Sequence, residues 1–395
     1  MATKFKFNYN NQTVDFDDYY VRSDIFTQGN LWSWGAGGNF QLADNAAVSR
    51  SSPVQTIAQA LIWRQVGGFG QYNGGGIKSD GTLWMWGANS FGNIGDNTFL
   101  DRSSPIQTVT GGTTWSYIAT SCKASHVAAI KYDGTLWLWG RNNAGQIGDN
   151  TVANKSSPVQ SISTTSDWLQ VNLASGATGA IKTDGSFWTW GDGFGGVLGD
   201  NTSASKSSPV QTIAGGLNWK QVAMGAFHCG AIKTDGSLWV WGYNLYGNIG
   251  DNTVVHRSSP VQTVSSGTNW KQVAAGGNHM AAIKTDGTLW TWGRNAYGQL
   301  GNNTTVNVSS PVQTTAFGNN WKQVACGYNF TCAVKTDGTL WTWGINSFFG
   351  TPIGCLGDNT GTNRSSPVQT VMGGTNWKQV ACADQHAHAL TYINP

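Results

Sequence analysis

The chain has 395 residues, of which 39% are hydrophobic and 11% charged, and its net charge is +3. So weak a field does not steer a chain onto nucleic acid, and no apolar run of about 18 residues marks a membrane helix. Every acidic residue is Asp, Glu is absent and there are 53 glycines, a composition that favours turns over helices.

Residues 1–28 form a lead distinct from the rest of the chain. Lys4, Lys6 and Arg22 stand there against Asp15, Asp17, Asp18 and Asp24, and no apolar core of a signal peptide is present. The stretches Lys4 to Tyr9 and Phe16 to Val21 alternate enough to dock as an added strand on a partner. They serve equally well as a strand on the chain's own body.

From residue 29 the chain repeats. A Trp-x-Trp-Gly box begins at Trp32, Trp84, Trp137, Trp188, Trp239, Trp290 and Trp341. A third tryptophan slot opens a Trp-x-Gln-Val run at Trp63, Trp168, Trp219, Trp270, Trp321 and Trp377, with Trp115-Ser-Tyr-Ile as the divergent copy. These three slots hold all 21 tryptophans. A period near 50 residues built from short strands signals a propeller or solenoid.

One unit can be read from residue 270. Trp270-Lys-Gln-Val-Ala-Ala-Gly is a short apolar strand suited to the channel wall, and a variable loop follows. Met280 to Thr285 is a second strand, and Asp286-Gly287 predicts a two-residue hairpin with positive φ. Thr288 to Gly293 is a third strand whose period of two puts Trp290 and Trp292 on one face. Ser309 to Thr314 is an outer strand, where Pro311 is tolerated at the edge.

The expected fold is therefore all-β: a seven-bladed propeller with four-stranded blades over residues 29–395. Blades 1 to 6 run over about 61–110, 113–162, 166–214, 217–266, 268–318 and 319–374. The first box lacks preceding inner strands, and the last repeat lacks a following box. Residues 375–395 and 29–58 should thus share the seventh blade, a two-plus-two closure without free edges. The repeated tryptophans read as inter-blade core rather than a ligand cage. Lys182, Lys220, Lys233 and Lys271 read as strand-edge and solubility lysines.

The segment Ala281-Ala-Ile-Lys-Thr-Asp-Gly-Thr-Leu-Trp-Thr-Trp-Gly-Arg-Asn-Ala-Tyr-Gly-Gln-Leu-Gly301 resembles the repeat of the regulator of chromosome condensation family. The resemblance covers residues 29–395 and implies the propeller. It leaves function open, since that repeat serves exchange factors, ubiquitin ligases, bacterial enzyme inhibitors and phage particles. The founding member binds chromatin through a basic tail and a small GTPase through a wedge. Neither feature has a counterpart here, so no exchange residue is carried over.

The loops after the inner strands vary against a nearly fixed frame. Tyr72, Phe227, His228, Asn278, His279, Tyr328, Phe330 and His386 are expected to ring one mouth of the channel as a binding face. Alternatively, the histidines there only hydrogen-bond backbone. A second candidate contact is an insertion of about five residues in blade 6, which adds Phe348, Phe349 and Ile353 to its loop, or folds them back on the blade.

Catalytic residues and cofactors are not expected. His386 and His388 share a strand face but lack a third metal ligand. The Gly-Asp-Asn-Thr runs at Asp96, Asp149, Asp200, Asp251 and Asp358 lack the ligand spacing of calcium loops and read as Asx turns, with Asn302 in one copy. The six cysteines do not pair by spacing and read as buried thiols formed in a reducing compartment. A symmetric recognition scaffold without a secretion signal points to a virion protein made in the cytosol. Its expected partners are other particle proteins, or a host-surface glycan or protein. The alternative is a cytosolic regulatory propeller that binds a GTPase or an enzyme.

Overall fold

Alternating apolar strands punctuated by glycine turns give seven four-stranded antiparallel sheets in a computed structural model. It describes residues 29–57, 63–348 and 350–392, apart from 71, 111, 164, 214, 215, 266 and 317, together with the short pair Asn8–Tyr9 and Gln12–Thr13. The rest of the lead lies outside the described residues.

Blade 1 comprises Trp63–Phe69, Asn73–Lys78, Leu83–Gly87 and Arg102–Gln107 in sheet order, and the same order recurs in blades 2 to 6. Blade 7 is assembled from both ends of the propeller. Trp377–Cys382 and His386–Tyr392 pair with Gly29–Gly35, which pairs with Arg50–Gln55. The register Gly29↔Tyr392 to Gly35↔His386 is continuous, so the two-plus-two closure leaves neither terminal strand as a free edge.

The hairpins differ from the sequence reading. Lys284 and Thr288 are paired, the Gly287 N–H bonds the Lys284 carbonyl at 2.9 Å, and only Gly287 has positive φ, at 81°. This is a three-residue loop, a tight turn followed by a left-handed glycine. Asp286 contributes through its carboxylate instead of its φ, accepting the Thr288 N–H at 2.9 Å and hydroxyl at 2.7 Å. The Asp-Asn-Thr runs are Asx turns as read, with Asn97, Asn150, Asn201, Asn252, Asn303 and Asn359 left-handed. Each turn aspartate also bridges the cation six residues on, as Asp251 does Arg257 at 2.7 Å. Asn302 faces Val308, so the charge is lost from both sides of that pair together.

Blades adhere through tryptophan. The second tryptophan of every box is fully buried, and its indole N–H donates to a loop carbonyl of the preceding blade. The acceptors of Trp34, Trp86, Trp139, Trp190, Trp241, Trp292 and Trp343 are Cys355, Gln41, Asn93, Gln146, Val197, Asn248 and Gln299, all at 2.8–2.9 Å. The first tryptophan is half-buried and holds the hairpin, as in Trp290 Nε1 to Thr288 Oγ1 at 2.9 Å. The lysine that precedes each hairpin lies between two indoles. Lys233 Nζ is 4.8 Å from the Trp219 ring and 4.6 Å from Trp239, and Lys182 is 5.0 and 5.4 Å from Trp168 and Trp188. These two are inter-strand cation–π contacts rather than solubility lysines, because their long stems lie along the indole faces. Lys271, on the inner strand, is exposed as expected.

Glutamine side chains fasten the inner strands around the channel. Gln323 Oε1 accepts the Val380 N–H and its Nε2 donates to the Val380 carbonyl, both at 3.0 Å. Gln65 does the same to Ile118, and Gln272 to Val324. Gln170, Gln221 and Gln379 accept from Val222, Val273 and Val66. Between blades 2 and 3, Tyr117 takes the glutamine's place and meets the Gln170 side chain. Replacing Gln323→Leu leaves a buried N–H and C=O unpaired, and we expect a loss of about 2–4 kcal/mol. Urea unfolding checks this, and an unchanged midpoint contradicts the fastening role.

Candidate functional site

The inner-strand loops and the loops after each Trp-x-Trp-Gly box lie at the same end of the propeller, its upper face. The hairpins lie at the opposite end. The upper loops are hydrogen-bonded to one another: the Gly70 N–H to Ser121, Asp384 to Gly70, Gly277 to Tyr328 and Ser175 to Ala226, at 2.9–3.1 Å. Lys123 of blade 2 reaches across blade 1. Its Nζ is 2.8 Å from Asp384 Oδ2 of blade 7 and 4.8 Å from the Tyr328 ring of blade 6. Burial lifts the Asp384 carboxyl above its usual range, and Lys123 offsets part of that rise. An ion pair therefore ties the loops of blades 2 and 7 together at the mouth. Below it lies a narrow cavity of about 80 Å³, lined by the glutamines, Asn172 and small side chains.

The expected ring of binding residues separates into two groups. Tyr72 is exposed, and Phe227 and Tyr328 are half-buried at the surface. His228, His279, Phe330 and His386 are fully buried, and Asn278 nearly so. They fall short of the mouth because the second strand of each blade is covered by the inner strand of the next. There the imidazoles join blades: His279 Nε2 to Thr331 Oγ1 at 3.0 Å, and His386 Nε2 to the Asn73 carbonyl at 3.1 Å. His126 does likewise with Thr178 at 2.9 Å. His388 meets Ser33 Oγ at 2.8 Å and packs edge-on against Trp86 across the closing seam. Room for it comes from Gly74, where a Cβ would sit 2.7 Å from His388 Nε2 and 2.3 Å from Trp86 Nε1.

In the blade-6 insertion, Ser347–Phe348 pairs with Thr351–Pro352 as a miniature hairpin. Ile353 is not a surface contact: it folds back on the blade, is 7% exposed and joins the core cluster around Trp34. Its N–H is held by the Asn346 carbonyl at 2.8 Å. The Phe348 side chain and Phe349 lie outside the described residues. Among the described residues, no group of three His, Cys or Asp side chains is placed to hold a metal, and no helix is long and apolar enough to cross a membrane. All six cysteines are buried and unpaired.

What the sequence reading missed is an aromatic cluster on the upper face of blades 3 and 4. Phe194 packs on Phe227 at 5.2 Å and stacks on Tyr243 at 5.8 Å, and Tyr243 lies 4.5 Å from His256. In blades 1, 2, 4, 5 and 6 an asparagine two residues past the box pins its loop, as Asn244 does through Asp251, Thr253 and Ile249. Blades 3 and 7 have Gly193 and Gly37 instead, and a Cβ at Gly193 would meet the Ala204 carbonyl at 2.6 Å. The signal in blade 3 was that missing asparagine with a phenylalanine directly after it.

These features define a seven-bladed propeller with a two-ended closing blade and one loop-rich face. The chain belongs to the RCC1-like domain family, which matches over residues 113–389. It is 30% identical to the ultraviolet-B receptor UVR8 of Arabidopsis thaliana over 326 residues, 80% of this chain and 72% of that protein. It is 26% identical to the human E3 ubiquitin-protein ligase HERC2 over 79% of this chain, but over only 7% of HERC2. Among solved structures, human WBSCR16 superposes with TM-score 0.79 at 20% identity, over 93% of this chain and all of that one. Prp20p of Saccharomyces cerevisiae, studied for its binding to Gsp1p and histones, superposes with TM-score 0.80 at 19% identity, over 96% and 94%.

The buried titratable groups make stability depend on pH and on one ion pair. Burial drives His126 and His279 down to about 3, His228 and His386 to about 4, and His388 well below its usual value. Groups neutral in the fold but protonated when unfolded contribute stability above about pH 6.5, lost as pH falls towards 4, at about 1.4 kcal/mol per pH unit for each proton. His228→Phe, a residue that blade 6 already carries in this slot as Phe330, should keep the fold and flatten that slope by one proton. A slope identical to the parent's in urea titrations from pH 7 to 5 contradicts this. Lys123→Met should cost about 2–3 kcal/mol, less than a fully buried pair because Lys123 is part exposed. Adding Asp384→Asn should recover most of that loss; a double variant no more stable than the single sinks the pairing.

Proposed function

We propose that the chain is a protein-binding propeller that presents its upper face to a folded partner. One observation carries this reading: the two faces are unequally built. The hairpins of the lower face repeat nearly letter for letter and spend their polar side chains on their own turns, as Asp286 and Thr288 do, and the one exposed ring among the described hairpin residues is Tyr132. The upper face varies from blade to blade and exposes Tyr72, Phe91, Phe99 and Phe194, with Leu100 and Leu245. Exposed aromatic groups on rigidly held loops are what protein interfaces use as anchors. The named relatives are eukaryotic proteins with receptor and ligase roles, which supports a regulatory setting.

The partner's class stops at a folded protein. A GTPase or an enzyme is the regulatory version. A virion setting rests on the sequence, through near-identical repeats and thiols kept reduced, and density-gradient fractionation of particles tests it. The face itself is tested by placing a photo-crosslinking amino acid at Leu100 on the upper face or Leu217 on the hairpin face, 64% and 65% exposed. We expect one discrete protein adduct, identified by mass spectrometry, from position 100 and none from 217. Adducts from 217 alone, or from neither, overturn the assignment.

A further inference from the structure

We propose that the aromatic cluster on blades 3 and 4 is the receptor for an arginine side chain presented by a protein partner. The proposal rests on the upper face being the binding face and names the chemistry of one contact on it.

One slot recurs around this rim. In several blades the loop after the box carries an aromatic residue, and the residue directly after the next blade's box lies over it. Between blades 1 and 2 this puts the Arg141 guanidinium 5.3 Å from the Phe91 ring. Between blades 4 and 5 it puts Arg294 5.1 Å from Tyr246, and 5.8 Å from Tyr297 of its own loop. In both places the chain supplies its own guanidinium to the aromatic face.

Between blades 3 and 4 the position of Phe91 and Tyr246 is Gly195; the aromatic residue, Phe194, stands one residue earlier and is 52% exposed, and the covering residue is Tyr243. Phe194 and Tyr243 stack on each other there, and among the described residues no cation lies over them. Phe227 and His256 extend the rings to a group of four. His256 Nδ1 accepts the Asn244 N–H at 3.0 Å, where sister blades use Asp101, Asn154, Asn307 and Asn363. That bond holds the imidazole ring in place against Tyr243.

Charge points the same way. Asp192 holds the slot that Arg141 and Arg294 hold elsewhere, and is half-buried beside Phe194, whose N–H it accepts at 3.0 Å. It makes no ion pair among the described residues. The cations on the outer strands of these blades, Lys206 and Arg257, are already bridged to Asp200 and Asp251 at 3.7 and 2.7 Å. What remains is a carboxylate next to the half-exposed Phe194 ring, which suits a guanidinium that stacks on the ring and donates in its plane. Gly195 supports the arrangement: a Cβ there would lie 3.1 Å from Tyr243 Cβ, so the loop can lie close against the tyrosine.

The test uses the full chain with 13C-labelled Phe and Tyr rings, titrated with the peptide acetyl-Gly-Arg-Gly-Arg-Gly-amide and with its citrulline counterpart, which keeps the shape and removes the charge. We expect saturable shifts of the Phe194, Phe227 and Tyr243 signals with the arginine peptide, and binding roughly 3–10-fold weaker for citrulline. Asp192→Asn should weaken the arginine peptide by a similar factor, and Tyr243→Ala should abolish the shifts while leaving those of Phe91 unmoved. Equal binding of both peptides, or shifts centred elsewhere, overturns the proposal. So does self-association that buries these rings without peptide. A retained adduct at position 100 in any of these cases leaves the upper-face reading standing and removes only this contact.

Discussion

A propeller is held together sideways, and its central problem is fixing where one blade sits on the next. Apolar packing between sheets resists separation but is non-directional, so it does little against sliding. Here directional bonds supply the register at two radii. The indole N–H of the second tryptophan in each box is committed to a loop carbonyl of the preceding blade, and the inner strands are joined by glutamine amides. An unmade bond of either kind leaves a buried polar group, which costs more than the bond contributes. Misregister is penalised at every seam, and the channel stays narrow because its wall is fastened to itself.

The same constraint explains the closing blade. Its seam with blade 1 keeps the indole and glutamine bonds of the others, although its strands come from opposite ends of the repeat array, and it differs in what fills the second-strand slot. The second-strand slot that carries Val127, Thr178 or Met280 in other blades is Gly74 here, and the freed volume holds His388 against Trp86. His386 reaches the Asn73 carbonyl beside it. Neutral imidazoles can meet hydroxyls and carbonyls there without a charge to desolvate.

Much of this is legible in the sequence, because the repeat acts as an alignment of the chain with itself. The period locates the strands, the tryptophan slots locate the core, and the incomplete first and last units locate the closure. Three features are not legible. Asp-Gly fits a two-residue and a three-residue hairpin alike, and only the Lys284–Thr288 pairing decides between them. The second-strand histidines read as mouth residues because their neighbours in sequence are loop residues, whereas the strand they begin is roofed by the next blade. Ile353 reads equally as exposed or folded back, because insertions are usually surface loops. The chain re-enters the frame at Gly354, and that return takes the isoleucine side chain into the core.

Function in such a molecule is carried by the copies that break the pattern. Blade 2 loses the fastening glutamine, and Tyr117 stands in its place on the channel wall; the same blade contributes Lys123, which ties the mouth to Asp384. Blade 3 loses both the pinning asparagine, at Gly193, and the second-strand histidine, at Ala177. Neither change helps stability, since the asparagine's hydrogen bonds to its loop have no substitute from a glycine. The gain lies in the surface, where Phe194 comes to rest exposed on Tyr243 beside an unbridged Asp192. The frame gives up here a bond that blades 1, 2, 4, 5 and 6 all make; the Ala204 carbonyl closes over Gly193, and the next residue, Phe194, stands exposed.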